Sequence, residues 1–227
     1  MAKVVEHGDP GEWAKTNGTV MSLIPVFICF VFLGAFSVSV FMGKYTVLIL
    51  AGLLASLVFL VVFWRNGIRR IESYFVGARG EEKVALELRS LPDDYHIFHD
   101  YVAGKYHVDH VVVGPSGIYA VETKNWHTQV TVEDGYILYG EQRLPSKNPL
   151  KQAKAQRTAV SKVLKEKNLN SDVIPVLCFA SNTFVEKYVN IDQVDVMNLS
   201  ELVEWISKKE QIFTSLEVER LVKLMNV

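Results

Sequence analysis

Asp109 and the run Glu122-Thr123-Lys124 hold the residue types that phosphodiester chemistry asks for. Two carboxylates are hard oxygen donors for a divalent cation, and a lysine at this spacing sets a charged amine beside them. Between them, Val111-Val112-Val113 and Ile118-Tyr119-Ala120-Val121 flank Gly114-Pro115-Ser116-Gly117, which reads as a turn joining two strands of a hairpin. A period of two sends Glu122 and Lys124 to one face of their strand and Val121 and Thr123 to the other. Asp109 lies on the preceding strand, within reach across the hairpin. The expectation is a metal-dependent site for cutting a phosphodiester.

Two helices must frame that hairpin. Gly77 to Leu91 has a helical pattern stopped by Pro92, with Val84, Leu88 and Leu91 on one stripe. Glu81 falls on the same stripe and Glu82 falls off it. A carboxylate aimed at the sheet needs a partner, either a metal or Lys124. The blander reading is a first-turn acid favoured by the helix dipole.

Asn148 to Lys167 is a second, longer helix with Pro149 in its first turn, a favoured position. Ala153, Ala159, Val160, Val163 and Leu164 mark its buried side, and Gln152 and Gln156 fall toward it. An amide there can hold a carboxylate, a water or a phosphate oxygen. Gln152, next to Asn148-Pro149, is the one expected at the site, and Gln156 is expected to be a polar boundary residue. Lys147, Lys151, Lys154, Lys162 and Lys165 gather on the opposite side. That face suits a phosphate backbone or simple solvation. His99, His107, His110 and His127 match no zinc spacing, and only His107 shares the face of Asp109.

The chain of 227 residues carries a formal net charge of −1, which hides an uneven distribution. Met21–Met42 and Tyr45–Trp64 are apolar runs, each about the 20 residues that span a bilayer. Joined by Gly43-Lys44, they predict a two-helix transmembrane hairpin. Arg65, Arg69 and Arg70 follow at once, which sets that end, and with it the N-terminus, on the cytoplasmic side. A cleaved signal peptide fits poorly, because the first run starts late and lacks a small-x-small site. Cys29 and Cys178 are the only cysteines, neither spaced as a zinc ligand, in keeping with a reducing compartment. The organisation expected is a tail over 1–20, the hairpin over 21–64 and a basic linker over 65–75. A compact α/β domain over 76–185 and a C-terminal strand with helices over 186–227 complete it.

Gly77-Ala78-Arg79-Gly80-Glu81, Val108-Asp109-His110 with Gly114-Pro115-Ser116-Gly117-Ile118, Val121-Glu122-Thr123-Lys124-Asn125 and Asn148-Pro149-Leu150-Lys151-Gln152 follow one another in order. Together they resemble the nuclease-related domain, a branch of the PD-(D/E)xK phosphodiesterase superfamily, over roughly residues 75 to 180. Val108 stands where that superfamily often carries proline. The resemblance implies a restriction-endonuclease-like α/β fold, a central mixed sheet flanked by helices, here behind the transmembrane hairpin. It implies Mg²⁺ or Mn²⁺ held by Asp109, Glu122, the Thr123 carbonyl and Glu81, with no organic cofactor. Lys124 would orient or deprotonate the attacking water, and Gln152 would support the water or a phosphate. The implied partner is nucleic acid, DNA ahead of RNA. The membrane is reached through residues 21–64, and the hairpin glycines Gly34, Gly43 and Gly52 allow a homo-oligomer. A binding module without catalysis and a membrane scaffold are the competing readings.

Overall fold

A computed structural model of the chain describes all residues but 6–7, 43–45, 144–147 and 227. In chain order, β1 (Lys3–Val5) precedes two long helices, α1 (Glu12–Met42) and α2 (Thr46–Leu88). Three strands follow, β2 (His96–Ala103), β3 (Tyr106–Gly114) and β4 (Gly117–Lys124), and then three short ones, β5 (Val130–Glu133), β6 (Tyr136–Tyr139) and β7 (Gln142–Arg143). The chain continues through α3 (Pro149–Glu166), β8 (Val173–Phe179), β9 (Tyr188–Ile191), β10 (Val194–Asn198), α4 (Leu199–Ser207) and α5 (Ser215–Met225). It divides into two units, one of residues 13–76 and one that joins 1–12 to 77–227.

In the larger unit, β1-β2-β3-β4-β8-β10-β9 form a seven-stranded mixed sheet, and β5-β6-β7 form a small antiparallel sheet. The hairpin expected around Gly114 and Gly117 is present, with Val113 opposite Ile118 and His110 opposite Val121. Alternation then divides the core. Val111, Val113, Ile118 and Ala120 pack with Ala159, Val160 and Leu164 of α3 and Val218, Leu221 and Met225 of α5. Val112, Tyr119 and Val121 pack on the other face with Val84 and Leu88 of α2 and Leu202 and Ile206 of α4. Each such side chain, fully buried, contributes roughly 1.5–3 kcal/mol of apolar transfer. This burial fixes all four helices against the sheet. Sheet order makes β4 central, with β3 antiparallel on one side and β8 parallel on the other.

Two boundaries move relative to the sequence expectation. Residues 1–20 are not one tail: β1 pairs in parallel with β2, Lys3 opposite His96 and Val5 opposite Phe98. A three-residue strand is too short to show a period, and its role is set by backbone bonding to a distant edge. Position 185 is not an edge either, because β10 pairs with β8 and α4 and α5 cover the two faces of the sheet.

The smaller unit holds most of α1 and the first part of α2. Residues 12–38 form one helix long and apolar enough to cross a membrane. Its large side chains point outward, Phe27 being 70% and Phe30 69% exposed. Leu54, Leu57 and Val61 of α2 are exposed as well. Trp13 meets Tyr74 edge to face at 6.3 Å between ring centroids, so the start of α1 lies beside that turn of α2. The expected Gly43-Lys44 connection, and Tyr45 after it, lie outside the described residues.

Candidate active site

The β3–β4 ladder ends at His110 and Val121, and one position further Asp109 replaces a backbone partner with its side chain. Its Oδ2 accepts the Thr123 N–H at 2.7 Å. Asp109, Glu122 and Lys124 share the parity of Val111 and Ala120, so all three face α3. Glu122 is only 4% exposed, and its Oε1 pairs with the Lys124 ammonium. From α3, the Nε2 of Gln156 donates to Asp109 Oδ1 at 3.0 Å and also to Glu122 Oε2. Every oxygen of the two carboxylates thus accepts one bond.

Glu81 enters from α2, on the other face of the sheet. It is half-buried and accepts the Gly11 N–H. Gly80 before it lies against β4's end, where a Cβ would come 2.5 Å from that of Asn125. The lack of a side chain at Gly80 is what lets α2 approach the site.

The charges strain against one another. Burial, then the neighbouring Asp100 and Glu122 carboxylates, lift Glu81 from its ordinary 4.5 to about 7. Burial also holds Asp109 well above its ordinary value, with Glu122 and Glu81 adding to the effect. At Lys124 burial works against the ammonium, but Glu122 and Asp109 outweigh it and the pKa rises. One lysine serves three carboxyls, so the site is short of positive charge.

Among the described residues, no group of three His, Cys, Asp or Glu side chains is placed to hold a metal ion as it stands. The ammonium and the amide already engage the carboxylates. The donor set still suits a hard divalent cation, since each carboxylate oxygen keeps a second lone pair and the acids crowd one another. In addition, Gln156 Oε1 is buried with no hydrogen-bond partner, an acceptor open to a water.

The amide at the site is Gln156, and Gln152 is exposed. At about 100° per residue the two lie only some 40° apart on the helix. Ala153, Gln156, Val160 and Leu164 make the buried stripe, with Gln152 at its margin in the first turn. Asn148 caps that turn, its Oδ1 accepting the Leu150 N–H at 2.9 Å, so its part is to start the helix. Periodicity puts both glutamines toward the sheet, but which turn stands over Asp109 depends on how the helix docks. Thr123 is buried, with its N–H given to Asp109 and its hydroxyl unpartnered.

Among the described residues, the histidines form no metal site. His99 and His110 are buried in a pair, Nδ1 to Nδ1 at 2.9 Å, both held neutral by burial. His107 bonds Asp100 Oδ1 at 3.1 Å. Cys29 and Cys178 are free thiols.

Residues 76–180 match the family described as Nuclease-related domain. That span contains Glu81, Asp109, Glu122, Lys124 and Gln156, and stops before β9, β10, α4 and α5. Neither the curated proteins nor the solved structures offer a match to the chain.

Proposed function

We propose that this chain is a membrane-anchored, cytoplasm-facing nuclease that hydrolyses DNA with Mg²⁺ or Mn²⁺, starting from the match of residues 76–180 to the nuclease-related domain. The observation that carries this reading is the convergence of Asp109, Glu122 and Lys124 on Gln156 in a site with too little positive charge. Its acids and lysine stand in the order of the PD-(D/E)xK superfamily, with Val108 at the proline position. RNA is the less favoured substrate.

Asp109, Glu122 and the Thr123 carbonyl would hold the cation, with Glu81 joining directly or through a water. Bound there, a divalent ion would supply Lewis acidity and a more acidic water near neutral pH. Lys124, which pairs with Glu122 here, would orient an attacking water and stabilise charge on the phosphoryl oxygens. Gln156 holds the two carboxylates together through Nε2, and its Oε1 would accept a hydrogen bond from a water.

The substrate class draws support from a cleft of about 590 Å³ between α3 and the β2–β3 turn, lined by Lys105, Lys151, Lys154, Lys162 and Tyr106. Lys154 pairs with Asp192, and Lys162 with Glu166 at 3.7 Å. Exposed pairs of this kind are worth about 0–1 kcal/mol and exchange readily for phosphates.

The anchor draws support from chain connectivity. Residues 1–12 and 77–227 share one unit, so a chain that crosses a bilayer in α1 must cross back before Gly77. The exposed apolar face of α2 supplies the return. Arg69 and Arg70 set the cytoplasmic side.

The test uses the full chain in lipid nanodiscs with labelled linear, single-stranded and branched DNA and with RNA, in Mg²⁺, Mn²⁺ or EDTA. Metal-dependent cleavage that disappears in Glu122→Gln and Lys124→Ala supports the reading. A folded chain that cuts none of these substrates refutes it.

A second reading is a nucleic-acid binding module without turnover. It is favoured by the full engagement of the carboxylate oxygens and by the absence, among the described residues, of a preformed metal group. Metal-independent binding that survives Glu122→Gln, without cleavage, would select it. A scaffold role rests on Gly34 and Gly52, whose Cβ positions face open space, and crosslinking in membranes tests it.

A further inference from the structure

Gly11 lies immediately before α1 and has a φ of +71°. That left-handed conformation suits glycine. A Cβ there would stand 2.7 Å from the Ala78 Cα and 2.8 Å from the Ala78 Cβ. The segment therefore lies flat on the turn of α2 that carries Glu81. Its N–H reaches the Glu81 carboxylate.

The neighbouring residues hold this contact in place. A Cβ at Gly8 would fall 3.2 Å from the Asp100 Cβ and 3.3 Å from the His99 carbonyl oxygen. Asp9 and Glu12 close a turn, with Glu12 N–H to Asp9 O at 3.0 Å and Asp9 N–H to Glu12 Oε2 at 3.2 Å. At the far end, Ala2 N–H bonds Arg89 O at 3.1 Å and Lys3 N–H bonds Tyr95 O at 2.9 Å, which pins β1 to the sheet.

Glu81 needs such a hold. Asp100 and Glu122 both repel its carboxylate, and only Lys124 and the Gly11 N–H oppose them among the influences on it. A half-buried glutamate pushed by two acids turns its head to water unless a donor keeps it inward. Gly11 supplies that donor from a backbone packed against Ala78.

We propose that residues 8–12 clamp the candidate site, with Gly11 as a positioning residue that holds the Glu81 carboxylate toward Asp109 and Glu122. This rests on the reading of Glu81 as part of a metal site. The clamp is also where the chain enters the apolar helix, and that unit ends at Val76, five residues before Glu81.

Two readouts on the full chain in nanodiscs test it. The first is amide hydrogen exchange at Gly11. It should be protected in the native chain and should lose at least tenfold of that protection in Glu81→Ala, while Lys3 stays protected. The second is Mn²⁺ affinity. Gly11→Ala should weaken it at least fivefold, and should add nothing in a Glu81→Gln background. Free exchange at Gly11 in the native chain overturns the clamp, as does an equal effect of Gly11→Ala in both backgrounds. A chain that binds no Mn²⁺ but whose Gly11 protection depends on Glu81 keeps the clamp and removes the metal reading.

Discussion

The Nε2 of Gln156 lies 3.0 Å from Oδ1 of Asp109, 47 positions away in the sequence. The same nitrogen reaches Glu122, so one amide ties β3 to the end of β4 from the α3 side of the sheet. Asp109 and Glu122 repel each other as anions, and the shared donor keeps them together without neutralising either.

Gln156→Ala should therefore lower metal-dependent cleavage and Mn²⁺ affinity by about 10–100-fold, the usual cost of losing a partner of a metal-binding carboxylate. Gln152→Ala, on an exposed position of the same helix, should stay within about twofold of the native chain. Titrating Mn²⁺ into both variants checks the pair. Equal losses would mean that the amide at the site has been wrongly identified.

Lys124→Ala should reduce turnover by about 10²–10³-fold, the range for losing one donor that stabilises transition-state charge, and leave Mn²⁺ affinity within a few-fold. Asp109→Asn should weaken Mn²⁺ binding as well, because it removes a charged oxygen donor. Single-turnover cleavage at saturating metal separates the two effects. Undiminished cleavage by Lys124→Ala would take Lys124 out of the chemistry.

Glu81 gives the metal-free protein a pH dependence of definite sign. Its folded pKa of about 7 stands above the ordinary 4.5, so folding favours the protonated acid. The stabilisation is complete below pH 4.5 and is lost as the pH rises to about 7. Allowing for partial exposure, it amounts to roughly 1–3 kcal/mol. Urea unfolding in EDTA at pH 5 and pH 8 should show the native chain losing more stability across that window than Glu81→Gln. Metal binding has the opposite slope, since it needs the ionised acid.

Gly80→Ala should destabilise the protein by about 1–3 kcal/mol, the cost of forcing a methyl into a packed contact. The added Cβ would lie 2.5 Å from the Asn125 Cβ, which β4's end holds in place. Because Glu81 follows directly, Mn²⁺ affinity should fall with stability. Gly77→Ala meets nothing within 4 Å and serves as the control in the same melt.

Residues 1–12, joined through a short Gly-Ser linker to residues 77–227, should fold as one soluble unit. The close approach of Gly11 to Ala78 makes that linker geometrically easy. Residues 77–227 alone lack β1 and the Gly11 donor, and should unfold at lower temperature. Identical melting of the two would show that the N-terminal segment adds nothing to the domain.

The hydrophobic text determined much of this by itself. The β3–β4 hairpin, its turn, the start of α3 at Asn148-Pro149 and the apolar character of α1 were legible because each depends on local period, turn chemistry or length. The shared face of Glu122 and Lys124 followed from alternation alone, and the hairpin register added Asp109 to it. Tertiary structure decided what depends on docking between distant segments. It chose Gln156 over Gln152, because the register of a helix over a sheet is set by how side chains interlock. It drew β1 and Gly11 into the domain, since a three-residue strand and a single backbone N–H leave no periodic trace. It also folded the C-terminal helices onto the sheet, where α5 joins α3 on one face and α4 joins α2 on the other.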